Sequence, residues 1–173
     1  MKFDKMNNIE LAKIKFEDIP ELRVAAEKIW LECYAAILDR KQIDYMLNWM
    51  YSPEKMKHEI EHEKIDYFFV CRDGVKIGFL SLGPYPEVAG RAKLHKLYLY
   101  PEFQGKGLGS ASLKKVFELA SGQGYSSICL NVNKNNHAAI KAYERNGFVK
   151  LEAVVNDIGG GYVMDDYVML AVI

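Results

Sequence analysis

The stretch LYLYPEFQGKGLGSASLKKVFELA, residues 97–120, decides the reading of this chain. The run KLHKLYLY (93–100) alternates as a strand does and stops at Pro101, where a ladder loses a donor. A glycine-rich turn follows, and from Gly107 to about Ser121 a helix places Gly109, Leu113, Val116, Phe117 and Ala120 on one face. A turn at the start of a helix offers unpaired backbone N–H groups and the positive end of the helix dipole, and glycines let anionic oxygens approach without a Cβ in the way. Gln104, Gly105, Lys106, Gly107, Leu108, Gly109 and Ser110 are therefore a candidate phosphate cradle, the alternative being a tight turn with no ligand. Spacing excludes two common cradles. The lysine is followed by Gly107 rather than Ser or Thr, so no hydroxyl is placed for magnesium as in a Walker A loop, and G-x-G-x-G without an acid at the end of the next strand is not a dinucleotide fingerprint.

Outward from that turn, SSICLNV (126–132) reads as a strand, and Asn135 or Asn136 caps a helix carrying Ala139, Ala142 and Tyr143. Asn146-Gly147 ends that helix, with Phe148 folding back as in a Schellman motif. Two late strands, 149–155 and 162–172, join across Gly159-Gly160-Gly161. Upstream, residues 9–16 suit an opening strand, 20–36 and 41–50 carry helical spacing, and Ser52-Pro53 starts a short charged helix. YFFVCR (67–72) and VKIGFLSL (75–82), separated by Asp73-Gly74, form the clearest hairpin, with a type I′ turn. The order implies an α/β (α+β) domain spanning 1–173, with a mixed, mostly antiparallel sheet of about seven strands and helices on both faces.

Composition excludes several classes of function. A chain of 173 residues can bury about 70% of its surface in one core. Twenty-three basic residues balance 23 acidic ones, so no global field draws nucleic acid or an anionic membrane, and any anion site must be local. Cys33, Cys71 and Cys129 are odd in number and lack C-x-x-C spacing, which predicts neither a disulfide framework nor a cysteine zinc site and points to a reducing cytoplasm. The start MKFDKMNNIELAK has no apolar run and no segment approaches 18 apolar residues, so neither a signal peptide nor a membrane span is expected.

The turn resembles the acyl-CoA pyrophosphate loop of the GNAT superfamily of N-acetyltransferases, [QR]-x-x-G-x-[GA] directly after a strand, with Gln104, Gly107 and Gly109 in register. LNVNKNNHAAIKAYERNGFVKL (130–151) is similar to the superfamily's second element, N-x-x-A-x-x-x-Y-x-x-x-G-F, filled by Asn136, Ala139, Tyr143, Gly147 and Phe148. The resemblance implies that acetyl-CoA lies between splayed strands at 93–100 and 126–132. Its pantetheine amides would pair with backbone near Leu97 and Leu99, and its pyrophosphate would rest on the amides of 104–110. An amine attacks the thioester directly in a ternary complex, the Leu97 N–H facing the developing oxyanion. Tyr143, which helical spacing alone reads as a core residue, becomes the acid for the departing thiolate. His95 is a candidate base at an ordinary pKa of about 6.5, or simply a polar strand residue. Asn131 and Asn136 are candidate cofactor contacts, Asn136 also a cap, and Lys106, Lys141 and Arg145 either meet the 3′-phosphate or are solvated.

The acceptor is expected to be a small-molecule or peptide amine near Trp30, Tyr34, Tyr45, Trp49 and 159–166, where Asp165 and Asp166 either attract a cation or are solvated. A homodimer through the late strands is left open. A non-catalytic acyl-CoA-binding regulator is the alternative from another class. His58-Glu59-Ile60-Glu61-His62 also matches H-E-x-x-H, the helical signature of zinc hydrolases, but KMKHEIEHEK is charged all round and reads as an exposed helix.

Overall fold

The computed structural model describes residues 8–173; the segment on which the absence of a signal peptide was argued lies mostly outside them. Seven strands form one sheet in the order β1-β2-β3-β4-β5-β7-β6. Along the chain these are β1 (Ile9–Lys13), α1 (Ile19–Cys33), α2 (Arg40–Met50), α3 (Pro53–Glu61), β2 (Asp66–Arg72), β3 (Val75–Pro84), β4 (Arg91–Leu99), α4 (Leu108–Gly122), β5 (Ser127–Asn133), α5 (His137–Arg145), β6 (Val149–Gly159) and β7 (Tyr162–Val172). Every neighbouring pair is antiparallel except β4 and β5, whose parallel crossover runs through α4. The mixed seven-stranded sheet expected from the element order is thus present, with helices on both faces.

Two cores follow from this layering. On one face Leu108, Leu113, Val116, Ala120 and Ile140 of α4 and α5 pack on Val70, Leu80, Leu94, Ile128 and Met169. On the other, Leu22, Ala26, Ile29 and Trp30 of α1, Met46 of α2 and Met56 of α3 pack on Tyr67, Phe69 and Phe79. Completely burying an aliphatic side chain of this kind contributes roughly 1.5–3 kcal/mol.

Local signals act as their chemistry requires. Asp39, Ser52 and Asn136 cap α2, α3 and α5, each accepting a backbone N–H three residues on. At the end of α5, Phe148 N donates to Tyr143 O and Gly147 N to Glu144 O, the two bonds of a Schellman motif. Asp73 and Gly74 both take positive φ, as a type I′ hairpin demands. The opening strand is shorter than the alternation suggested. It ends at Lys13, because the chain turns into a 3-10 segment at Phe16–Asp18 on its way to α1. The last two strands reach inward to Gly159 and Tyr162, leaving Gly160 and Gly161 as the turn. No helix among the described residues is long and apolar enough to cross a membrane.

Candidate active site

The sheet is continuous everywhere except at its centre. β4 and β5 pair from Arg91–Ser127 to Leu94–Leu130 and then part. The position of the split coincides with a bulge. Opposite β3, Ser81 pairs with Lys96 while Leu82 pairs with Leu94, so His95 is an extra residue in β4. A bulge bends and twists its strand, and it shifts the side-chain alternation by one. Ala92 and Leu94 face the α4 core, yet beyond the bulge it is Leu97 and Leu99 that do so, while Tyr98 turns to the α1 side. Nothing in the alternation of KLHKLYLY announced this change.

The opened edge of β4 is available for pairing. Tyr100 N donates to Ile77 O of β3, so the intervening Leu99 and Leu97 direct their backbone groups the other way, into the gap. The Leu99 carbonyl accepts Gln104 Nε2 at 2.9 Å. The Gln104 side chain therefore ties the glycine turn to the end of β4, and also donates to Cys33 Sγ at 3.2 Å, rather than reaching into the cradle.

Below the gap lies the turn. Gly105 and Gly107 adopt left-handed φ of 70° and 75°, which a side chain would strain, and Gly107 N-caps α4 with no side-chain hydrogen bond. Gln104 N is spent on Pro101 O, but from Gly105 to Ser110 no backbone N–H finds an acceptor among the described residues. Six donors thus converge on a helix N-terminus with open space above Gly105 and Gly109. Of the expected amides at 104–110, that of Gln104 is the one already engaged within the described residues. The Leu108 side chain is core, so it offers only its backbone. Lys106 Nζ donates to the Glu102 carbonyl at 2.7 Å, and Ser110 Oγ accepts Asn146 Nδ2 at 2.9 Å, so both side chains are tethered to the protein while the Ser110 O–H and two ammonium protons remain to donate.

Gap and turn open on one cavity of about 720 Å³, within the usual range for ligand sites. His95, Leu97, Leu99, Gln104, Gly105, Gly109, Asn131, Asn136 and Tyr143 all line it. Tyr143 stands edge-on to Phe148, ring centroids 5.5 Å apart, and burial pushes its phenol well above the ordinary range. The neighbouring Tyr34 is raised to about 12, mainly by burial. His95 departs from its expected pKa: burial, then the charges of Lys96 and Lys93, push it down to about 3, so the ring stays neutral through the physiological range. Its Nε2 is buried without a hydrogen-bond partner.

The acceptor residues divide. Trp30 and Tyr34, stacked at 4.6 Å, line the cavity with Arg145, Met164 and Asp166. Tyr45 is used structurally, its hydroxyl donating to Ile158 O at 2.7 Å, and Trp49 is 41% exposed beside Lys55. Lys141 lies outside the cavity wall. Asp165 is exposed and paired with Lys134, whereas Asp166 is buried. Sequence reasoning missed Tyr98, Lys96 and the α2 residues Gln42, Met46 and Met50. The first two needed the bulge to be known, and α2 carries only an apolar stripe that any packed helix would show.

The H-E-x-x-H segment resolves differently from either expectation. α3 is not polar all round: Met56 and Glu59 are buried. Glu59 accepts from Tyr67 Oη and lies 3.8 Å from Lys96 Nζ, which donates to Tyr67 at 2.8 Å, while His58 and His62 point to solvent. The glutamate is turned inward and the imidazoles outward, and among the described residues they form no common metal site.

A family model described as "Acetyltransferase (GNAT) family" matches residues 23–148. The chain belongs to the GNAT acetyltransferase family. It is 29% identical over 162 residues to a spermidine N(1)-acetyltransferase of Thermoplasma acidophilum, covering 91% of this chain and 96% of that protein. It is 31% identical over 124 residues to a spermine/spermidine N(1)-acetyltransferase of Bacillus subtilis, covering 66% and 80% respectively. Among solved structures, a PaiA N-acetyltransferase from T. acidophilum in complex with coenzyme A superposes with a TM-score of 0.76 at 28% identity, covering 96% of this chain and 99% of that one. The split sheet thus belongs to an acetyltransferase of this family.

Proposed function

We propose that this chain, as one domain over 1–173, transfers an acetyl group from acetyl-CoA to a primary amine of an aliphatic polyamine by direct attack in a ternary complex. The observation that carries the reading is the opened β4 edge standing over six unpaired N–H groups at the start of α4. These residues fit the cosubstrate: the amides of Gly105–Ser110 match a diphosphate in charge and donor number, and the freed backbone of Leu97 matches an amide-bearing pantetheine arm. Bound acetyl-CoA supplies an activated thioester.

The protein's own groups do the rest. The Leu97 N–H, fixed by the bulge, donates where negative charge builds on the carbonyl oxygen. Tyr143, held protonated by its raised pKa, delivers a proton to the departing sulfur, and the proton lost by the attacking nitrogen returns to the phenolate through solvent in the cleft, which balances the step. His95 acts as a neutral hydrogen-bond acceptor that orients the amine; with its pKa near 3 it is too weak a base to set the pH optimum. Asn136 holds the α5 start against the cleft, and Asn131 faces it from β5. The acceptor class follows the two polyamine-acetylating relatives and the acidic, aromatic end of the cavity.

Free-thiol release measured with acetyl-CoA and an amine panel tests this. Tyr143→Phe is expected to lower kcat by about 100-fold or more while leaving acetyl-CoA affinity nearly unchanged. Unaltered turnover removes Tyr143 from the chemistry, and a cleft that binds acetyl-CoA but turns over no amine makes the protein a binder instead. Three free cysteines suit a reducing, cytoplasmic location. The exposed β6 edge, with Val149, Leu151 and Val155, is where a second copy would pair, which sedimentation would detect.

A further inference from the structure

We infer that Asp166 anchors a second, non-reacting ammonium group of the acceptor, so that the cleft selects amines carrying two or more cationic centres. The inference rests on the proposal that an amine enters this cleft, and it adds the residue that sets acceptor class.

Asp166 is 1% exposed, its side chain lies in the cavity wall, and its Oδ1 makes no hydrogen bond. A buried ionised carboxylate without a partner is costly, so such groups are ordinarily paired or neutralised. Burial raises the pKa of Asp166, and the Asn131 amide offsets this only in part. The protein's own cations are engaged elsewhere: Lys134 is paired with Asp165 on the opposite face of β7, and Lys93 lies 5.9 Å from the Tyr85 ring. The structure has no need of a charge here. Position 166 sits mid-sheet between Asn133 and Val154, where an apolar side chain would pack.

The surroundings favour a cation. Trp30 and Tyr34 stack at 4.6 Å, and Tyr34 meets Tyr98 edge-on at 6.3 Å, giving aromatic surface along which an alkyl chain and its charged end can lie. Asp166, Tyr34 and Tyr143 line the same cavity, so the carboxylate, the aromatic surface and the transfer site share one space. The reacting amine must be neutral to attack, and a carboxylate bound to it would hold it protonated. Asp166 therefore suits the other ammonium.

The test titrates 1,4-diaminobutane and butylamine into the CoA-loaded protein and measures kcat/KM for both with acetyl-CoA. The wild-type protein is expected to prefer the diamine, and Asp166→Asn to reduce that preference by about 10- to 100-fold, the loss of a charge-assisted contact. Asp165→Asn, which removes a charge from the other face, should keep it. Because preference is a ratio within one preparation, a general loss of active protein does not mimic the effect. Equal affinity of the wild-type protein for the two amines overturns the assignment whatever the variant does, as does an undiminished preference in a folded Asp166→Asn. Diamine binding that depends on Asp166 with no thiol release from any amine leaves the anchor standing and sinks the transfer reaction. Transfer to monoamines and diamines alike, unaffected by Asp166→Asn, does the reverse.

Discussion

Two carboxylates are buried among the described residues, and they are treated in opposite ways. Glu59, between α3 and the sheet, accepts from Tyr67, lies 3.8 Å from Lys96, and is 3.5 Å from Lys55. Asp166, in the cleft, has Oδ1 unpartnered. His95 Nε2 shares that condition in the same cavity. A satisfied buried network supports the fold, because every group removed from water has been given a protein partner. An unsatisfied one that faces a cavity leaves a place for a ligand group to complete it.

Experiments on stability bring out the contrast. The largest effect is expected from Glu59→Gln, which leaves the buried ammonium of Lys96 without its counter-charge and should cost about 3 kcal/mol in denaturant unfolding. Burial already lowers the Lys96 pKa to about 8 despite Glu59, so removing the glutamate drives it lower still. Replacing Glu59 and Lys96 together by Leu and Met is expected to recover much of that loss. No recovery would mean that the network specifies the fold beyond its charges.

Asp166→Asn, by contrast, should cost little or even stabilise the free protein, with a pH signature. Because the folded-state pKa of Asp166 is raised, the folded chain holds a proton that the unfolded chain releases, and this favours folding below the unfolded pKa. That advantage disappears as pH rises through the folded pKa, so the variant should gain on the wild-type protein over that interval. A destabilised Asp166→Asn at neutral pH would show that the carboxylate is structural and break the comparison.

His95 gives a smaller effect of the opposite sign. Between pH 6.5 and about 3 the unfolded chain binds a proton that the folded one refuses, so wild-type stability falls as pH drops through this window. His95→Gln should flatten that fall and leave kcat without a limb near pH 6.5; a limb there that vanishes in the variant would restore His95 as a titrating base. The smallest effect is expected at His58 and His62, both exposed, where alanine should change stability by no more than about 0.5 kcal/mol.

Much of this was written locally. Caps at Ser52 and Asn136, the Asp73-Gly74 hairpin, the Gly147 helix stop and the glycine turn at 104–110 each depend on the φ, donors or acceptors of a few adjacent residues, so the string of letters determines them. The spacing from Asn136 to Phe148 likewise carried Tyr143 to the cleft. What only the tertiary structure decided depends on partners distant in the chain. The bulge at His95 exists relative to Ser81 and Leu82, and it turns an alternating strand into a split one. The pKa of His95 and the fate of Glu59 follow from burial against other elements, not from their neighbours in sequence. Asp165 and Asp166 are adjacent and chemically identical as letters; the strand pleat sends one to water and one into the cavity, because successive side chains leave a strand on opposite faces.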